Sequence, residues 1–134
     1  MNLKKRFLYK FNYFRRFFDR RDFKYLCGKF EIILPFDHRL PAHKEKNQNY
    51  DRFLGHLSYF LPKETFVIDV GANCGDTLAI MLSNNNKINY FCIEADKKFM
   101  KYLEKNTDIL RKHNDCKIIL SNSFIGKEVE NALL

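Results

Sequence analysis

Three polar side chains at the ends of apolar runs are the best placed in this chain to do chemistry: Asp69, Glu94 and Asn122. Asp69 follows Phe66-Val67-Ile68 and precedes Val70-Gly71-Ala72-Asn73-Cys74-Gly75-Asp76-Thr77. Gly71 and Gly75 permit a tight turn and a close backbone approach to a ligand. Asp76 or Thr77 can cap the helix that follows, and a helix N-terminus is the usual ligand-facing end of such a unit. Glu94 ends a second apolar run, Ile88 to Ile93, 23 residues after Gly71. That is near the spacing at which a carboxylate accepts from both hydroxyls of a ribose. Ser121-Asn122-Ser123 end a third run, Lys117 to Leu120.

The turn narrows the ligand. Gly71-Ala72-Asn73-Cys74-Gly75 reads G-x-N-x-G, not the G-x-G-x-x-G of dinucleotide sites, and no G-K-[S/T] follows. Asn73 stands where a glycine would, and Asn is among the side chains that best tolerate a left-handed backbone. A carboxylate at Asp69, beside the turn, repels pyrophosphate but suits a ligand carrying an ammonium and a sulfonium. That ligand is S-adenosylmethionine. Asp96 and Asp76 also read as helix caps. His38, His43, His56 and His113 read as surface or locally bonded residues, so no catalytic base is named.

The elements that must position these residues alternate. Phe66–Val70 reads as a strand buried on both faces, Thr77–Ser83 as a short helix and Asn84–Asn86 as a turn. Ile88–Ile93, Lys97–His113 and Lys117–Leu120 then read as strand, helix and strand. Such alternation predicts a parallel sheet with right-handed crossovers and an α/β fold. Ahead of it, Lys29–Leu34 reads as a strand stopped by Pro35. Phe36–Pro41 is turn-rich, with Pro41 discouraging helix at Leu40. His43–Asn49 is polar, and Asp51 is placed to cap a helix over Arg52–Leu61. Residues 29–64 are therefore expected to be an N-terminal extension or lid.

Residues 1–28 form a basic, aromatic arm. Leu3, Phe7, Phe11, Phe14 and Phe18 fall on one face of a helix expected over residues 3–25. Residues 1–30 hold ten Lys/Arg and two Asp, whereas the remainder holds fourteen of each sign. The net charge of +8 thus describes the arm, and a nucleic-acid-binding domain is not expected. The Phe stripe suits packing on the domain, or an anionic membrane surface as partner. Cys27, Cys74, Cys92 and Cys116 have no metal-ligand spacing, so no metal site is expected. No run reaches the length of a membrane span. The expected location is cytoplasmic, with peripheral membrane contact through the arm.

V-I-D-V-G-A-N-C-G-D-T followed by F-C-I-E-A-D resembles the class I S-adenosylmethionine-dependent methyltransferases, and D-V-G-A-N-x-G is most like their FkbM family. The resemblance runs from about Lys29 to Gly126 and takes in the S-N-S-F-I-G segment. It implies a Rossmann-like sheet and O-methylation of a sugar or polysaccharide-type acceptor. Asp69, Gly71 and Gly75 would shape the methionine end of the cofactor. Ala72, Asn73, Asp76 and Thr77 would line the loop or helix start, Glu94 would hold the ribose, and Asn122 or Ser123 would lie near the adenine. Such sheets usually have seven strands, and three are legible here. Residues 65–134 are thus expected to be the cofactor half of a truncated domain. Its first strand would carry an unpaired edge, and the acceptor-contacting residues would be missing. The competing readings are a non-catalytic interaction or membrane-surface module and, behind it, an NAD-binding oxidoreductase half.

Overall fold

The computed structural model describes residues 21–47, 49 and 51–126. The stripe from Leu3 to Phe18 lies outside the described residues. The described chain opens with β1 (Phe23–Cys27) and β2 (Phe30–Leu34), an antiparallel hairpin. The arm's expected helix, drawn through Tyr25, is therefore corrected at its end. Phe23, Tyr25 and Cys27 alternate with exposed Lys24 and Leu26, which is a strand period and not a helical one. Gly28, with φ +62°, supplies the left-handed first residue of the two-residue hairpin loop.

Two helices follow, α1 (Leu40–Lys46) and α2 (Arg52–Phe60). Pro41 does not prevent α1. It lies in the first turn, where its missing N–H has no intrahelical partner to lose. Asp51 is at the start of α2 as expected, but its backbone is left-handed (φ 58°) and its side chain makes no capping bond. An N-cap that bonds the helix amides normally has extended dihedrals.

The expected alternation then appears as β3 (Phe66–Val70), α3 (Asp76–Leu82), β4 (Asn89–Ile93), α4 (Lys97–Arg111) and β5 (Ile118–Ser121). The strands form a parallel sheet in the order β3-β4-β5. The fold of the described residues is mixed α/β, and β3 is an edge strand of its sheet. The cap of α3 is Gly75 rather than Asp76 or Thr77. Asp76 instead sits in the first helical turn, where its charge complements the helix dipole.

One face of the sheet is covered. Val67, Asp69, Tyr90, Cys92, Ile118 and Leu120 share it by strand alternation and register. Leu78 and Met81 of α3 and Leu103 and Leu110 of α4 join them in the core, each such side chain contributing about 1.5–3 kcal/mol when fully buried. The other face differs from the expectation of a strand buried on both sides. Phe66, Ile68 and Val70 remain 52%, 65% and 59% exposed, because no described element packs on them.

The hairpin packs on α3 and α4. Asn106, wholly buried on α4, is the link. Its Oδ1 accepts from the Ile33 N–H at 2.7 Å, and its Nδ2 donates to the Ile33 carbonyl at 2.9 Å and the Cys74 carbonyl at 2.8 Å. One amide thereby continues the edge of β2 and anchors the glycine turn to α4.

Candidate functional site

The turn after β3 is built from left-handed residues. Gly71, Asn73 and Gly75 have φ of +78°, +51° and +83°, so Asn73 adopts the backbone that its residue type tolerates. The Gly71 and Ala72 amides both donate to the Ile93 carbonyl, at 2.8 and 3.0 Å, which fastens the turn to the end of β4. A Cβ at Gly71 would meet nothing within 4 Å, whereas one at Gly75 would lie 3.0 Å from Leu103 Cδ1. Gly71 thus leaves open space at the mouth of the turn, and Gly75 serves close packing.

A cleft of about 380 Å³ lies over this turn, at the carboxyl end of β3. Its lining includes four of the sequence-predicted residues: Gly71, Asn73, Asp76 and Thr77. Asp69, Ala72, Gly75, Glu94 and Asn122 are not in it. Ala72 and Gly75 are buried behind the turn. Asn122 is exposed, and its Nδ2 donates to the carbonyls of Glu94 and Ala95 at 2.7 and 3.0 Å. It thereby fixes the chain after β4.

Glu94 is 7% exposed. Its Oε2 accepts from the Asn73 amide and its Oε1 from the Asp96 amide, each at 2.8 Å. The carboxylate ties together the turns that end β3 and β4. Each oxygen keeps a second lone pair with which to accept from a ligand. Asp96 caps α4, accepting from the Lys98 amide at 2.7 Å.

Asp69 lies below the cleft on the covered face of the sheet. Its Oδ2 is buried and has no hydrogen-bond partner among the described residues. Burial raises its pKa to about 6, assisted by the nearby carboxylates of Asp76, Asp51 and Glu94. Asp76 is also raised by burial, against the opposing pull of Lys44. Asp51 is raised by burial and by Asp76. The floor of the site is therefore electronegative and short of positive partners. Among the described residues, no group of three His, Cys, Asp or Glu is placed to hold a metal ion. Burial pushes the Cys27, Cys74 and Cys92 thiols up to about 12, which keeps them protonated and poorly nucleophilic.

The opposite wall comes from residues the sequence did not single out for the site: His38, Arg39, Leu40, His43 and Phe99. His38 is more than locally bonded. Its Nδ1 accepts from the Leu40 amide at 3.2 Å, which places the ring proton on Nε2, and Nε2 donates to Asn73 Oδ1 at 2.8 Å. Its ring also meets Phe99 edge-on, with centroids 5.7 Å apart. Beside it, Asp37 pairs with Lys98 at 2.9 Å, and that bond lowers the Asp37 pKa. The Pro35–Pro41 segment is thus held across the cleft by contacts to the glycine turn and to the first turn of α4. The available signal was a charged Asp-His-Arg run between two prolines. Its partners, distant in sequence, gave no signal.

Compared with known protein families and with curated proteins, the sequence matches none.

Proposed function

We propose that the cleft over the Gly71–Gly75 turn binds S-adenosylmethionine, as the cofactor site of a class I, Rossmann-like methyltransferase does. The observation that carries this is the buried, unpartnered Oδ2 of Asp69 beneath the turn, with Asp76 and Asp51 as its charged neighbours. A cationic ligand relieves that concentration of carboxylates, and a pyrophosphate aggravates it. The open space at Gly71 admits a ligand to the turn backbone. The cleft also lies where ligands of parallel sheets bind, at the carboxyl ends of the strands.

When bound, S-adenosylmethionine supplies an electrophilic methyl group. The chain's own contribution is binding and orientation. Asp76 and Thr77 would face the ligand from the start of α3, and Asn73 from the turn. Asp69 would act from below as a fixed negative charge. Glu94 and Asn122 would hold the two turns in register. The acceptor we propose, a sugar or polysaccharide-type hydroxyl, comes with the FkbM resemblance and has no residue assigned to it here. Contact of residues 1–28 with an anionic membrane surface is likewise a proposal from sequence. No helix among the described residues is long and apolar enough to cross a membrane.

A second reading is an interaction module, favoured by the exposed row of Phe66, Ile68 and Val70 on a strand whose outer edge pairs with no described residue. Thermal-shift measurements on the intact chain separate the two readings. S-adenosylmethionine and S-adenosylhomocysteine are expected to raise the unfolding midpoint, with NAD and ATP inert. Stabilisation by NAD alone would overturn the methyltransferase proposal.

A further inference from the structure

Arg39 stands apart from the other cations near the cleft. Lys98 is paired with Asp37. Lys44 lies over the Tyr25 ring and opposes the rise in pKa of Asp76 and Asp51. Arg39 is exposed and lines the cleft, and its guanidinium makes no hydrogen bond or ion pair with another described residue. Its backbone is nonetheless well fixed. The preceding residue, His38, is bonded to Asn73 and packed on Phe99, and Arg39 itself is the N-cap of α1.

The cleft therefore has walls of opposite charge, with Asp76 on the turn side and a guanidinium on the other. A ligand that is only cationic is repelled by Arg39, and one that is only anionic is repelled by Asp76. A zwitterion satisfies both. A guanidinium presents a planar fork of donors that matches a carboxylate in a bidentate manner. We propose that Arg39 binds the α-carboxylate of the amino-acid end of S-adenosylmethionine, with the α-ammonium turned toward Asp76, an assignment that rests on the cofactor reading. Arg39 is then the residue by which the site discriminates a complete amino-acid end from one lacking the carboxylate.

Calorimetric titration of the intact chain with three ligands tests this: S-adenosylmethionine, its decarboxylated form, and 5′-methylthioadenosine. The unaltered chain is expected to bind the complete cofactor most tightly. Arg39→Ala is expected to weaken that binding roughly 10- to 100-fold, the cost of losing a charged bidentate contact, and not to weaken the decarboxylated form, whose two positive charges Arg39 repels. Arg39→Lys is expected to restore part of the loss. Because Arg39 is exposed, the unfolding midpoint should not move. If Arg39→Ala weakens both ligands equally, or neither, Arg39 is not the carboxylate partner. If the unaltered chain binds none of the three, the cofactor reading itself fails.

Discussion

His38 Nε2 donates to Asn73 Oδ1 over 2.8 Å, a bond that crosses 35 residues of sequence and joins a proline-flanked turn to the glycine loop. It sets the width of the cleft, because one partner lies on each wall. His38→Ala removes two side-chain hydrogen bonds, with Asn73 and with the Leu40 amide, and a ring contact at a half-buried position. The expected stability loss is about 1–3 kcal/mol, and the expected fall in S-adenosylmethionine affinity is about 3- to 10-fold. Thermal unfolding and calorimetry measure the two effects separately.

The two glycines of the turn are predicted to fail in different ways. Gly71→Ala meets no neighbour within 4 Å, so its stability cost is the left-handed backbone alone, about 1–2 kcal/mol. The new methyl group projects into the space left for the ligand, and binding is expected to be lost. Gly75→Ala adds a 3.0 Å approach to Leu103 Cδ1, so the larger loss there is in stability. Denaturant unfolding paired with ligand titration of both variants should show this inversion.

Asp69 makes stability depend on pH. Its folded pKa is raised to about 6 from an ordinary value of 3.8. Between those values the folded chain holds more protons than the unfolded chain, so this group's contribution falls as pH rises through the window and stays low above it. Asp69→Asn removes the penalty. The variant is expected to match its parent near pH 4 and to exceed it at pH 7 by on the order of 1–3 kcal/mol, while binding the cofactor less well. Unfolding curves from pH 4 to 8 follow the difference, and a difference that shrinks with rising pH would contradict it.

Much of the parallel unit was legible in the sequence, for a physical reason. Phe66–Val70 is a compact apolar run closed by a glycine turn, and its bounds in the structure are those expected. Strand β1 was hidden because the four-residue spacing of Leu3 to Phe18 carried the helical reading past the point where Phe23, Tyr25 and Cys27 change the period to two. Helix α1 was hidden because Pro41 reads as a breaker unless its place in the first turn is known. The site was half legible. Carboxylates at strand ends are visible as residue types, but the partners of Glu94 are backbone amides, which every residue except proline possesses. The far wall depends on His38 meeting Asn73 and Phe99, contacts that only the folded chain creates.

Glu94 and Asn106 hold the loop in two different ways, and hydrogen exchange distinguishes them. Glu94→Gln replaces one carboxylate oxygen by an amide group that cannot accept. Either the Asn73 or the Asp96 amide then loses its partner, and faster exchange is expected at that amide with global stability lowered by about 1–3 kcal/mol. Asn106→Ala strips partners from Ile33 and Cys74 at once. It is expected to cost about 2–4 kcal/mol and to raise exchange across β2 as well as the turn.

Calorimetric titration of S-adenosylmethionine into the intact chain at neutral pH, with Gly71→Ala as the comparison, tests the central claim most directly. The account predicts saturable one-to-one binding that Gly71→Ala abolishes while remaining folded. Absence of binding to the folded, unaltered chain, or binding that Gly71→Ala leaves unchanged, would contradict it.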